Sequence, residues 1–283
     1  MDRTYTIGVL FADKAESGLT HDFFAAILES FKRTIEARGY QMCFFNTNRD
    51  HPGRKTYLEQ AQERKYDGVL IACIDFEEPE VVELMHSGIP TANIDEEVDG
   101  VISVKSDNIG GMKTLVDYLI TMRHKRIAYI TGEDCNVTRT RLKSFIETSR
   151  SAGISIPAEY IMQGKFRDIN QAAYLTESLM RLPEPPSCII YPDDYAAIGG
   201  LNILRARGMD IPGDISIAGY DGIDIMYRYE PRITTVVQNK KRLGMVAAER
   251  LLAWVEDPDY ELENTIVIDT ELQKGRSVAR AFY

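Results

Sequence analysis

The residues best placed to do chemistry in this sequence fall in four stretches: 4–13 (TYTIGVLFAD), 106–132 (SDNIGGMKTLVDYLITMRHKRIAYITG), 189–222 (IIYPDDYAAIGGLNILRARGMDIPGDISIAGYDG) and 233–238 (ITTVVQ). Each joins an apolar run to a cluster of polar side chains beside a helical pattern. Carboxylates accept hydrogen bonds from hydroxyl-bearing molecules, and guanidinium groups donate them. Ligands of open parallel sheets lie at the carboxyl ends of the strands. The chemistry expected is recognition of something small and polar, with the apolar runs as scaffold.

Signatures of other chemistry are missing. No GxGxxG follows a strand pattern, and there is no Walker loop or GxSxG elbow. The four histidines (His21, His51, His86 and His124) have no ligand spacing such as HExxH. No metal or cofactor is therefore expected. Glu77 and Glu78 precede Pro79 and read as the acidic start of a helix, and Glu96 and Glu97 read as loop acids. Cys43, Cys73, Cys135 and Cys188 lie far apart without CxxC spacing. They read as free thiols, most of them buried, as in a reducing cytoplasm. Enzymatic function has no positive support.

A net charge of −10 argues against this chain holding nucleic acid by itself, because phosphate binding needs clustered Lys and Arg. The 283 residues exceed one ordinary domain, and 44% apolar content can build two cores. No run of about 18 apolar residues marks a membrane span. The opening MDRTYTIGV runs into a strand pattern with no secretory leader, so a cytoplasmic location is expected.

The elements that must position the polar clusters alternate. Strand patterns at 7–11, 42–45, 68–74 and 91–94 are separated by helical spacing at 23–37, 55–64 and 79–86. A second round starts with Asp107 as N-cap of a helix. Strands follow at 126–131, 160–162, 187–191 and 216–219, with helices at 137–151, 171–181 and 195–207. Such alternation implies right-handed crossovers and parallel sheets covered on both faces. The tail holds a strand at 233–237, a helix at 239–256 and strand pieces at 265–268 and 271–272. It is too short for a third lobe, so it must complete the first two. The expected architecture is α/β, with two similar doubly wound parallel-sheet lobes joined by a three-crossing hinge and a ligand cleft between them. The expected lobes are 4–106 plus 239–267 and 107–238 plus 268–283.

Read together, SDNIGGMKTLVDYLI…HKRIAYITG, TRLKSF at 140–145, YPDDYAAIGGLNILRARGMDIPGDISIAGYDG and ITTVVQ…LGMVAAERLL resemble the effector-binding region of LacI/GalR transcriptional regulators. That region has the fold of type 1 periplasmic binding proteins, and the resemblance runs from about Thr4 to Ser277. The family places a helix-turn-helix ahead of the first strand; only Met1–Arg3 precede Thr4 here, so operator DNA is expected to bind only through a domain missing from this chain. The sequence departs from the family at Arg123–His124, where Gly-His is usual, and at Asp193–Asp194, where Asn-Asp is common. The loop DKAESGLTHDFF is also longer than usual.

The resemblance implies the site residues by position. Arg141 corresponds to an arginine that clamps ligand hydroxyls, and Asp221 to a ligand-binding aspartate. Asp193 stands where an asparagine is usual and can only accept. Phe166 corresponds to an aromatic that stacks on ligand. Asp95 closes a strand of the first lobe, Gln238 ends a strand at a crossing, and His21, Asp22 and Phe23 line the long loop. Trp254, on an apolar helix face, reads as core or interface. Acids with one Arg favour a neutral polyol. The expected function is the effector-sensing and dimerisation core of a cytoplasmic regulator that binds a sugar or sugar derivative. A purine or nucleoside is the alternative within the family. Two rivals stay open: an extracellular or periplasmic sugar receptor of a transporter, and an α/β sugar-modifying enzyme.

Overall fold

Short apolar runs, too short for helices, become the central strands, buried on both faces; the stretches with 3.6-residue spacing become the helices that cover them. The computed structural model describes residues 3–12, 18–48, 50–257 and 259–281. In chain order the first elements are β1 (Thr6–Phe11), α1 (Asp22–Glu36), β2 (Gln41–Phe44), α2 (Tyr57–Arg64), β3 (Gly68–Ala72), α3 (Pro79–Met85), β4 (Thr91–Ile94) and β5 (Ile102–Ser106). Then come α4 (Asn108–Thr121), β6 (Ile127–Thr131), α5 (Asn136–Ser151), β7 (Ile161–Gln163), α6 (Ile169–Leu179), β8 (Cys188–Ile190), α7 (Asp194–Ala206), β9 (Ser216–Asp221) and β10 (Thr234–Gln238). The tail supplies α8 (Lys240–Glu256), β11 (Thr265–Ile268) and β12 (Thr270–Gln273). Residues 13–17 of the long loop after β1 lie outside the described residues.

The chain forms two compact units, Met1–Ser106 with Asn239–Ile268 and Asp107–Gln238 with Asp269–Tyr283. It therefore passes between them three times, after Ser106, Gln238 and Ile268. Ile268 belongs with the first unit, packed in its core.

Unit 1 holds a six-stranded sheet in the order β11-β5-β4-β3-β1-β2, all neighbours parallel. Alternation along β1 divides its side chains between two cores. Ile7, Val9 and Phe11 face α1 and α8, while Leu10 faces the layer built on Tyr57, Val81 and Leu84. Thr56 and Glu59 close a reciprocal capping box at the start of α2. The sequence pattern runs from β4 straight to α4, but the structure inserts β5, pairing with both β4 and β11. Its five residues, ISVKS, include three polar ones and follow a tight turn at Asp99–Gly100, so they carry little strand signal.

Unit 2 repeats the plan in the order β12-β10-β9-β8-β6-β7, with β12 antiparallel on β10. Helices α4 and α5 cover one face through Met112, Leu115, Leu119 and Phe145; α6 and α7 cover the other through Ala172, Leu179, Leu201 and Leu204. The Asp107 side chain caps α4 by accepting from the Gly110 amide at 2.7 Å. Arg123 takes φ 68, a left-handed conformation that glycine adopts without strain. Its neighbour His124 is buried, bonded to Ser187 Oγ at 2.9 Å and to the Ala279 carbonyl at 3.0 Å, and burial lowers its basicity. Among the described residues, no helix is long and apolar enough to cross a membrane.

The contact between α1 and α8 depends on Gly244. A Cβ there would lie 2.2 Å from the Ile27 carbonyl oxygen and 2.9 Å from the Phe31 nitrogen. Ala is favoured over Gly inside a free helix by about 1 kcal/mol, but here the obstacle is backbone and cannot rotate away. Gly244→Ala is expected to destabilise the protein by about 1–3 kcal/mol through overpacking, read as a lower urea midpoint.

Candidate functional site

In unit 2, β7 lies on one side of β6 and β8 to β10 on the other. The winding reverses between β6 and β8, and such a reversal opens a crevice at the carboxyl ends of the strands. Glu133 follows β6, Phe166 and Arg167 follow β7, Asp193 follows β8 and Asp221 closes β9. The same strand ends gather unusual backbone. Asp221 has φ 98 and Arg167 φ 60; in unit 1, Cys73 just after β3 has φ 55 and Asp95 just after β4 has φ 77. Such conformations cost non-glycine residues of order 1–3 kcal/mol and concentrate at functional sites.

Arg141 is not the solvated helix charge that its place early in α5 would allow. It is 3% exposed. Its Nε donates to Asn108 Oδ1 at 2.7 Å and its Nη1 to the Pro192 carbonyl at 3.2 Å. The guanidinium carbon lies 3.6 Å from the centre of the Tyr220 ring, a favourable cation–π distance. Ser144, on the same helix, donates to the Ile109 carbonyl at 2.8 Å. Arg141 thus ties α5 to the start of α4 and to the ends of β8 and β9. It has a structural role in addition to any ligand contact.

The two adjacent acids divide their work. Asp193 caps α7: Oδ1 accepts from the Ala196 amide at 2.8 Å, and Oδ2 accepts from the Arg167 amide at 2.6 Å. It is 1% exposed. Burial, and secondarily the charge of Asp221, pushes its carboxyl up to about 7 against the pull of these amides. The resemblance assigns Asp193 as an acceptor for ligand. Both of its oxygens already accept from the protein's own amides. Asp194 is fully buried. It accepts from Thr235 Oγ1 at 2.6 Å and the Ile223 amide at 2.9 Å, and burial raises its carboxyl well above the usual range. It fastens α7 to β10 and to the segment after β9.

Asp221 is half-buried, and its Oδ1 accepts from Gln238 Nε2 at 2.6 Å. The structure therefore joins two of the expected site residues directly, and Gln238 is the last residue before the second crossing. Phe166 is half-buried; its amide donates to Glu133 Oε2 at 2.8 Å and its ring lies against Gly132, where a Cβ would be 2.3 Å from Cε2. In unit 1, Asp95 is half-buried at the end of β4. His21 precedes α1 with its ring edge-on to Phe24 at 4.9 Å, and Asp22 is exposed in the first turn. Phe23 is a core residue, packed against Phe24 at 5.1 Å. Trp254 is half-buried against the same core.

Sequence reasoning missed Glu133, Asn108, Arg167, Tyr195 and Tyr220. Asn108 lay within a quoted motif, and the position of Glu133 directly after a strand was its available signal. Arg167 places its guanidinium carbon 4.9 Å from the centre of the Tyr195 ring. Among the described residues no cluster of His, Cys, Asp and Glu could hold a metal ion.

Two doubly wound sheets with strained polar residues at their strand ends define a small-molecule-binding α/β protein of the periplasmic-binding type. The chain belongs to the periplasmic binding protein-like domain family, whose model matches residues 116–278. It is similar to the probable HTH-type transcriptional repressor ExuR of Bacillus subtilis, 27% identical over 99% of this chain and 83% of that protein. It is also similar to the ribose operon repressor of Escherichia coli, 28% identical over 97% of this chain and 83% of that one. A regulatory protein of the LacI family from Chloroflexus aggregans superposes with a TM-score of 0.86 at 26% identity, covering 98% of this chain and 99% of that one. These relatives are transcriptional regulators, not enzymes, and the chain is a regulator's effector domain.

Two outcomes follow from this geometry. Arg141→Ala removes a charged donor from Asn108 Oδ1 and the Pro192 carbonyl. Hydrogen bonds to charged groups are worth about 1.5–3 kcal/mol, so a fall in stability of about that size is expected by chemical denaturation without any ligand. For Asp193, the folded value of about 7 lies above the ordinary 3.8. Its contribution to stability is therefore fully present below the ordinary value and is lost as pH rises through about 7. Melting curves from pH 4 to 8 should show the parent losing stability relative to Asp193→Asn as pH rises.

Proposed function

We propose that this chain senses a small polyol, a sugar or sugar derivative, at the strand ends of unit 2, and so controls DNA binding by a helix-turn-helix domain. The observation that carries the reading is Asp221: a half-buried carboxylate held at φ 98 at the close of a central strand and braced by Gln238. Backbone strain of this kind clusters at ligand-binding positions, which supports Asp221 as a ligand contact. A carboxylate there accepts from vicinal hydroxyls, and Phe166 offers a ring to the C–H face of a sugar. One relative is named for a ribose operon, which supports the sugar class. In unit 1, Asp95 has the same strained strand-end geometry, and His21 and Asp22 stand at the start of α1; we propose these three as polar contacts offered by that unit. We also propose that the chain works in the cytoplasm as a homodimer, in keeping with its kinship to transcriptional repressors.

Binding shifts the balance between two conformations only by its preference for one of them. The effector thus acts as inducer or co-repressor according to which state holds Asp221 and Gln238 in the better place.

The test is a thermal-shift screen over sugars, polyols and nucleosides on the parent and Asp221→Ala, since a ligand of the native state raises the melting temperature by mass action. A sugar or polyol is expected to raise it, and the variant is expected to bind that compound tenfold to a hundredfold more weakly, about 1–3 kcal/mol. Stabilisation by nucleosides alone would replace the sugar reading with a purine one. Equal shifts in parent and variant would remove Asp221 from the site.

A further inference from the structure

The loop after β7 is held by two carboxylates from two different strand ends. Glu133, after β6, accepts from the Phe166 amide at 2.8 Å; Asp193, after β8, accepts from the Arg167 amide at 2.6 Å. The two amides are consecutive, and Arg167 takes φ 60 between them and α6. The Phe166 ring meanwhile rests on Gly132, in contact so close that only glycine leaves room. We propose that Asp193 is a positioning residue: with Glu133 it clips the Phe166 and Arg167 amides, and the ring keeps its place over Gly132 only while the Asp193 carboxyl is ionised. The inference deepens the proposed function, because it rests on Phe166 being the face offered to the effector. It makes effector binding dependent on pH through a group that need not touch the effector.

The geometry explains why protonation matters. Oδ1 serves the Ala196 amide and Oδ2 the Arg167 amide. A proton on either oxygen leaves a hydroxyl that accepts poorly, so one of the two bonds fails. The cap on α7 is part of the helix; the Arg167 bond crosses to a loop in a strained conformation and is the one expected to yield. Asparagine, the residue common in the family at this position, carries one acceptor and one donor. It can cap α7, but its amide group would then oppose the Arg167 N–H. Aspartate alone supplies two acceptors, and it does so by burying a charge.

The groups around Asp193 set where it ionises. Asp221 on β9 opposes its charge, and the amides of Ala196, Arg167 and Tyr195 favour it. Asp194 is its chain neighbour and is itself raised by burial. Tyr129 on β6, also pushed up by burial, senses both Asp193 and the Arg141 guanidinium. Arg141 on α5 reaches the Pro192 carbonyl next door, and Arg167 stacks on Tyr195 in the first turn of α7. Burial is the largest influence, so the carboxyl changes state near neutral pH, at about 7.

The experiment is nuclear magnetic resonance of the isotope-labelled chain from pH 5.5 to 8.5, with no effector present. The Arg167 amide proton is expected to move upfield on acidification with a midpoint of about 7. The Gly132 α protons, shifted by the Phe166 ring current, should move with the same midpoint. Both titrations should vanish in Asp193→Asn. Glu133→Gln, at an exposed side chain, should displace the Phe166 amide while leaving the Arg167 titration in place; this variant and the parent carry the test if Asp193→Asn does not fold. Flat Arg167 and Gly132 resonances in the parent would overturn the proposal, as would an unchanged midpoint in folded Asp193→Asn. Since no effector enters the measurement, its failure is distinct from a failure of the sugar reading.

Discussion

A guanidinium does not lose its proton at physiological pH, and Arg141 is nearly all out of water. That one buried cation obliges its surroundings to answer it: an amide oxygen from the first turn of α4, a carbonyl just beyond β8, and the face of a tyrosine on β9. Three elements converge on a fourth because the charge can be tolerated only where they meet. The carboxylates stand at the same strand ends. Asp221 keeps partial exposure and a brace from Gln238, while Asp193 and Asp194 are submerged and draw on protein donors. The polar end of unit 2 thus rests on a hydrogen-bonded network, with the hydrophobic sheets below it serving to fix its spacing.

The two neighbouring aspartates show how little separates a latch from a staple. Asp193 stands in extended backbone just before α7, and its oxygens reach the helix start and the neighbouring loop. Asp194, one residue on and already helical, turns the other way toward Thr235 and Ile223. The first bond set holds a loop that carries a candidate ligand-stacking ring. The second holds the sheet to its helix. The groups that Asp194 bonds, Thr235 and Ile223, are core positions.

The scaffold was largely legible because its signal is local. Buried strands and amphipathic helices write their periods into adjacent residues, and Asp107 announces α4 by its type and place. β5 escaped because ISVKS has too few apolar residues to show a period. The site was legible as a set of positions but not as a set of roles. Arg141 looks solvent-bound in a helical wheel, since the partners that bury it lie 33 and 51 residues away in sequence. Glu133 looks like any acid after a strand until the Phe166 amide is found 33 residues on. The left-handed backbone of Asp221 and Asp95 leaves no mark at all, because aspartate is common in ordinary turns. Arg123 is the reverse case: the family's glycine there foreshadows a conformation that the arginine nevertheless adopts.

The interleaving of the two units bears on how the chain is made. Synthesis runs from the N-terminal side, yet the core of unit 1 includes Leu243, Val246, Ala247, Leu251 and Leu252 of α8, and its sheet ends with β11. Until these emerge, the apolar faces of Ile27, Phe31 and Ile35 lack their cover. Unit 1 is therefore completed only after residues 107–238 have been made, and unit 2 then waits for residues 269–283. Birth order and folding order are uncoupled, and the nascent chain carries an open hydrophobic face while residues 107–238 are being made. For such a chain, the interval of translation is the period of greatest exposure to aggregation.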